Sequence, residues 1–303
     1  MHAVVSIKQV PDTAEVRIDP RTNTMIRSGV PSIVNPDDVR AIEEAIRLKE
    51  RFGGKVTVLT MGPSQATAAL REAVSLGADE AVLCADRGFA GADTLATSYV
   101  IWKAMLGIMR REPVDILLCG RQALDGDTGQ VPPGVATRLG WPQLTSVLKV
   151  DEVNFDDRYV VVERLVEGGR EIVRSRLPAV ITCTREINIP RYATFTNMVR
   201  AARFQPTIWD KAALDIADDD PNIGLRGSPT IVSKVWAPQP RQRGDATRVD
   251  GSDPERAARE LARILVDLAG GGRDGASEAA AVPVTAHPEP VEGERAPGST
   301  GSP

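Results

Sequence analysis

Gly120-Arg121-Gln122-Ala123-Leu124-Asp125-Gly126-Asp127-Thr128-Gly129-Gln130-Val131-Pro132-Pro133 follows directly on the apolar run Val114-Asp115-Ile116-Leu117-Leu118-Cys119. A short apolar run that ends in glycine and small polar residues, then opens a helix-like segment from Val135 to Leu139, reads as a buried parallel strand feeding a ligand loop. Gly126 and Gly129 let the backbone turn tightly, so that successive N–H groups can face one concavity. With the Thr128 hydroxyl and the positive end of the next helix, that nest suits a phosphate. Asp125 and Asp127 would repel a phosphate, which assigns them to holding the loop through backbone bonds or to sugar hydroxyls. Arg121 is the cation able to fork onto phosphate oxygens. On residues alone the D-G-D-T segment also reads as an ordinary turn. The spaced ligands and closing glutamate of a calcium-binding EF-hand are absent.

The surrounding chain alternates strand and helix. Residues 3 to 7 form a short apolar strand, and 16 to 19 with 24 to 27 read as a small hairpin. Asn35-Pro36-Asp37-Asp38 is a helix start with a capping side chain, an early proline and two acids facing the positive end of the dipole. Each acid contributes about 0.3 to 1 kcal/mol there; both also lie where a ligand could be met, and capping alone accounts for them. Val39, Ile42, Ala45 and Ile46 recur at helical spacing until Gly53-Gly54 stops the helix. Strand 56 to 61, a helix carrying Ala69, Leu70, Ala73 and Val74, strand 81 to 84 and a longer helix from Asp93-Thr94 follow. This order predicts an α/β fold with a doubly wound, mostly parallel sheet, whose ligands sit at the carboxyl ends of strands, where Ser6, Met61 and Gly120 lie.

Beyond Trp141 the pattern turns to alternation, with strands at 147 to 153, 159 to 165, 171 to 174 and 179 to 184. From Ile189 periodicity weakens, as in an extended C-terminal arm that lacks a core and lies on a partner. Helical spacing returns from Ser252 to Leu268. The organisation expected is an α/β domain over 1–188, an arm and helix over 189–269, and a disordered tail rich in Gly, Pro, Ala, Ser and Glu over 270–303.

Composition narrows the chemistry. A net charge of −4 leaves no basic footprint for nucleic acid. The apolar residues before Lys8 are too few for a signal peptide, and no apolar run reaches membrane-spanning length, so a cytoplasmic protein without membrane insertion is expected. Cys84, Cys119 and Cys183 read as small buried strand residues in a reducing compartment, not metal ligands. The histidines are His2 and His287, and neither these nor a serine elbow supports a catalytic assignment. A bound cofactor is left to supply the chemistry.

Together these residues resemble the beta subunit of an electron-transfer flavoprotein. The resemblance runs from about residue 3 to residue 268. It rests on Ile7-Lys8-Gln9-Val10-Pro11-Asp12, Asn35-Pro36 with Glu43-Glu44-Ala45-Ile46-Arg47-Leu48-Lys49, Met61-Gly62-Pro63 and the Arg121 to Pro132 loop. Two later segments add to it: Val162 to Val173 leading into Leu177-Pro178-Ala179-Val180-Ile181-Thr182, and Pro190-Arg191-Tyr192-Ala193-Thr194-Phe195. The resemblance implies a Rossmann-like, adenine-nucleotide-binding fold in a heterodimer whose alpha subunit carries a redox FAD. It implies that this chain's own nucleotide touches Ser6, Asn35, Pro36, Asp37, Asp38, Met61, Gly120, Arg121, Gln122, Ala123, Leu124, Asp125, Gly126, Asp127, Thr128, Gly129, Gln130 and Val131.

The resemblance further implies that the arm wraps onto the alpha subunit and that Arg191, Tyr192 and Phe195 dock a partner dehydrogenase. On residues alone a buried Phe195 is the ordinary alternative. In simple carriers of the family the nucleotide is AMP. In the bifurcating and nitrogen-fixation-associated branch it is a second FAD that takes a hydride from NADH and splits the electron pair between acceptors such as ferredoxin and a quinone oxidoreductase. The Arg121 to Val131 form resembles the second branch, with Gly129 where alanine is usual and Pro132 where glycine is usual; FAD is the expected cofactor and AMP the alternative. The chain is then an electron carrier with no catalytic residue or metal of its own. A stand-alone ATP-binding or sensing domain would need a glycine-rich phosphate motif near the C-terminal strands or a Walker lysine, and neither is present, since no G-x-x-x-x-G-K-[ST] occurs. A scaffold would keep redox function after its nucleotide is stripped.

Overall fold

The computed structural model describes residues 1–12, 17–18, 25–26, 31–230 and 248–271. The chain divides into two compact units, residues 1–237 and 238–303. In order, the first contains β1 (His2–Ser6), β2 (Gln9–Pro11), β3 (Arg17–Ile18), β4 (Met25–Ile26), β5 (Ser32–Val34), α1 (Pro36–Phe52), β6 (Lys55–Met61), α2 (Thr67–Leu76), β7 (Glu80–Cys84), α3 (Thr94–Met109), β8 (Ile116–Gly120), α4 (Val131–Leu139), β9 (Gln143–Asn154), β10 (Tyr159–Val166), β11 (Gly169–Arg176), β12 (Ala179–Cys183), α5 (Phe195–Arg203) and β13 (Thr207–Trp209). The second contains α6 (Pro254–Gly271).

One nine-stranded sheet runs β11-β10-β9-β12-β8-β1-β6-β7-β13. From β9 to β13 every pair is parallel, and β10 and β11 extend one side as an antiparallel hairpin. Central strands are covered on both faces, so they read as unbroken apolar runs; β8 and β12 are buried at every residue. Successive side chains point to opposite faces, and the packing follows that alternation. Ala3, Val5, Ile116 and Leu118 pack with Ile42 and Ile46 of α1 and Leu70 of α2. Val4, Leu117 and Cys119 pack with Val100 and Met105 of α3 and Val135 of α4. Each fully buried Leu or Ile contributes about 1.5 to 3 kcal/mol, so both layers are needed to hold the sheet. The expected doubly wound α/β fold is the one observed.

Strand order places the crevice. From β1 the chain steps outward through α1 and α2 to β6 and β7, and then α3 returns it to β8 on the other side of β1. The order therefore reverses between β1 and β8, and in such sheets ligands lie beyond the carboxyl ends of the two strands at that point. The register puts Ser6 beside Cys119 there.

Several elements went unread in the sequence. Ser32–Val34 pairs antiparallel with Gln9–Pro11, while the expected hairpin is present as Arg17–Ile18 against Met25–Ile26. Within the segment read as an arm, β13 lies parallel to β7, and α5 packs on α2 through buried Ala201. A three-residue strand is too short to show a period, and α5, though amphipathic, spans only nine residues. Of the residues expected to form a disordered tail, all after Gly271 lie outside the described residues, as does His287.

Candidate functional site

The loop from Gly120 leaves β8 into the crevice beside β1. At 1% exposure, Asn35 directs its side chain away from its own helix: Nδ2 donates to the Gln122 carbonyl at 2.9 Å, and Oδ1 accepts the Leu124 amide at 3.0 Å. The capping role expected for that side chain is thereby corrected, for it makes no hydrogen bond to the helix N-terminus. Both polar ends reach the loop, 87 and 89 residues away in the chain, and the side chain also acts on the Asp38 carboxylate.

Asp38 makes the corresponding link between strands. One carboxylate oxygen accepts the Lys8 amide at 2.7 Å and the other the Gly120 amide at 3.0 Å, across the reversal between β1 and β8. Burial pushes its carboxyl up to about 7, against the pull of the hydrogen bonds from Lys8, Asn35 and Gly120. Gly120 is required by this contact, because a Cβ there would fall 2.3 Å from Asp38 Oδ1. Asp37, also buried, accepts from Arg185 Nε at 3.0 Å.

The loop acids are engaged as well. Lys8 Nζ donates to both oxygens of Asp125, at 2.7 and 2.8 Å, and Gln122 Nε2 donates to Asp127 Oδ1 at 3.0 Å. Lys8 offsets the charge of Asp125, while the neutral Gln122 amide ties Asp127 within the loop without offsetting its charge; both partners are side chains, not the backbone groups expected. Gly126 and Asp127 amides turn back onto the Ala123 carbonyl, and Asp127 (φ +50°) and Gly129 (φ +61°) both take left-handed backbone. Asp tolerates that region better than most residues, and Gly adopts it without strain. What stays uncommitted is a donor set. Among the described residues the exposed Arg121 side chain, the Thr128 amide and hydroxyl and the Gly129 amide make no hydrogen bond. The start of α4 adds less than its dipole suggests, since Pro132 and Pro133 have no N–H.

All the residues expected at the site lie at this carboxyl edge. The structure joins Asn35, Asp38, Gly120, Gln122, Leu124, Asp125 and Asp127 through the contacts above. Ser6 and Met61 end β1 and β6; Pro36 occupies the first turn of α1; Ala123 and Gly126 shape the turn; Gln130 accepts from Thr94 Oγ1, and Val131 opens α4. Sequence reasoning missed Lys8, Arg185 and Thr94. Lys8 stood next to the first strand end, and that position was its one available signal.

The first residues of the arm, with Asn188 just before it, are laid along α1. Asn188 Nδ2 donates to the Arg40 carbonyl and to Glu44, and Arg191 reaches Glu43 at 2.8 Å and also pairs with Glu50. Burial pushes Glu43 up, but the hydrogen bonds of Arg191 and Arg47 outweigh it and hold that carboxyl below the usual range. Tyr192 (97% exposed) and Phe195 (80% exposed) stand in solvent, so the ordinary alternative of a buried Phe195 does not hold.

Elsewhere, a cavity of about 440 Å³ opens at the opposite, amino end of the strands, lined by His2, Lys55, Glu80 and Trp209 among others. His2 is buried there between Thr57 Oγ1 and the Pro113 carbonyl, with its pKa lowered by burial. The three cysteines are free and buried, and burial raises all three thiols. Among the described residues no cluster suits a metal ion, and no helix is long and apolar enough to cross a membrane.

The fold and site define a doubly wound α/β protein with a glycine-bearing loop, balanced in part by Lys8, at the reversal of its strand order. The family model described as the electron transfer flavoprotein domain matches residues 22–210, and the chain belongs to that family. Its curated relatives include Protein FixA of Azotobacter vinelandii, 49% identical over 259 residues covering 85% of this chain and 92% of that protein. They also include the electron transfer flavoprotein subunit beta of Thermoanaerobacterium thermosaccharolyticum, 49% identical over 81% of this chain and 91% of that protein. The subunit beta of Clostridium acetobutylicum is 46% identical over 87% of this chain and 98% of that protein. Within the family the chain is thus of the beta-subunit type, which pairs with an alpha subunit.

Proposed function

We propose that this chain holds an adenine nucleotide at the crevice between β1 and β8, FAD in preference to AMP. Paired with its alpha subunit, it passes electrons from a dehydrogenase or NADH toward a quinone oxidoreductase or ferredoxin. The observation that carries the reading is the Gly120–Val131 loop, pinned by Asn35 and Asp38 and relieved of charge at Asp125 by Lys8. Arg121, the Thr128 hydroxyl and the Thr128 and Gly129 amides supply donors for phosphate oxygens. The bound group would bring the redox chemistry; the residues here bind it, orient it and balance its charge. The preference for FAD rests on the Arg121 to Val131 form and on relatives that carry the FixA name.

A second reading, structural AMP, is favoured by Pro132 and Pro133, which remove amides that a diphosphate could use. The test is to purify the chain with its alpha partner, denature the complex and quantify released nucleotides. Two FAD per heterodimer supports the first reading, one FAD and one AMP the second, and one FAD alone overturns nucleotide binding by this chain. Residues 191–195 are proposed to dock the dehydrogenase, Tyr192 and Phe195 by contact.

A further inference from the structure

The two strand ends that frame the crevice are not hydrogen-bonded to each other beyond Ser6; Asp38, from a third element, joins them. Its Oδ2 takes the Lys8 amide and its Oδ1 the Gly120 amide, so the side chain is a fixed-length strut between the first residues of the crevice on either side. Space around it is closed, since Gly120 leaves no room for a Cβ. Because both oxygens accept from backbone amides and the residue is 6% exposed, no carboxylate edge remains for a ligand.

We infer that Asp38 is a positioning residue that must be ionised to hold Lys8 and Gly120 at the spacing a nucleotide requires. This rests on the nucleotide reading given above. A protonated carboxyl keeps one good acceptor oxygen, so one of the two amides loses its partner and the strut slackens on that side. The other ionisable groups around it are engaged or buried. Asp37 beside it on α1 is paired with Arg185, the Cys119 thiol on β8 and the Cys183 thiol on β12 are kept protonated by burial, and the Lys8 ammonium lies on Asp125. Asp38 itself titrates near 7, which brings the effect into an accessible range. Repulsion between the ionised carboxylate and bound phosphates acts in the opposite direction, which makes the sign of the pH dependence diagnostic.

The test is calorimetric titration of the full-length chain and of Asp38→Asn with FAD and, separately, AMP at pH 8 and pH 6. The amide of the variant keeps the shape but turns an NH₂ toward one backbone N–H. Affinity is expected to fall about tenfold in the variant at pH 8, the size of one charge-assisted hydrogen bond. For FAD, whose diphosphate keeps its charge over this range, the unsubstituted protein is expected to bind more weakly at pH 6 than at pH 8 and the variant to bind alike at both. The AMP phosphate takes up a proton at about pH 6, so AMP is compared between the two proteins at the same pH. The FAD comparison across pH needs no variant, so it stands even if Asp38→Asn fails to fold. Equal affinities and equal pH profiles in the two proteins, or tighter binding of FAD at pH 6, overturn the inference. If the unsubstituted chain binds neither nucleotide at either pH, the nucleotide reading falls and the inference with it.

Discussion

Asn35 holds Leu124: the side-chain oxygen of the one accepts the backbone amide of the other at 3.0 Å, while the same side chain donates to Gln122. A helix N-terminus and a strand-end loop are thereby fastened by a single buried amide. Replacing Asn35 by alanine leaves a carbonyl and an amide without partners, which should cost about 1 to 3 kcal/mol. Urea unfolding should show that loss, and the nucleotide content of the purified variant should fall with it. A variant that keeps full content would remove the loop from the site.

Lys8 and Asp125 form a pair with one half-exposed member, so their worth to the fold should be under about 1 kcal/mol. Their worth to an anionic ligand is greater, because Lys8→Met leaves Asp125 uncompensated beside it. The Lys8→Met variant should melt nearly normally yet bind FAD or AMP several-fold more weakly, with the deficit largest at low salt. Adding Asp125→Asn should recover much of the lost affinity; no recovery would show that Lys8 acts elsewhere.

Arg191 and Arg47 converge on Glu43, whose side chain is 4% exposed. The folded-state pKa of Glu43 is depressed, so its contribution to stability is present above its unfolded value near about 4.3 and is lost as pH falls through the folded value. Arg191→Met should therefore destabilise the protein at neutral pH and flatten the acid limb of its stability curve. Melting followed from pH 7 down to pH 3 would check this, and an unchanged acid limb would contradict it.

Phe195 is 80% exposed at the first turn of α5, where Thr194 Oγ1 caps the helix by accepting the Asn197 amide. Phe195→Ala removes little packing, so stability should change by no more than about 0.5 kcal/mol. Dehydrogenase-linked electron transfer should nevertheless drop while cofactor content is retained. Unchanged transfer kinetics would take Phe195 out of the docking surface.

The sequence by itself determined the α/β class and the loop on which the site is built. Uninterrupted apolar runs such as Ile116–Cys119 can only be buried on both faces, and 3.6-residue spacing in α1 and α2 declares one buried side. The same local reasoning found Gly126 and Gly129, because backbone demands are written in residue type. It placed Asn35 and Asp38 at the start of α1, where they stand, but gave Asn35 a capping bond it does not make and left Lys8 out, because capping is a local signal whereas the side-chain partners lie 30 to 117 residues away. Only the tertiary structure decided that β1 and β8 would be neighbours where strand order reverses. That adjacency, set by the packing of α1 and α3 on opposite faces, brings one lysine, one asparagine and one aspartate onto a single loop, and no spacing along the chain could announce it.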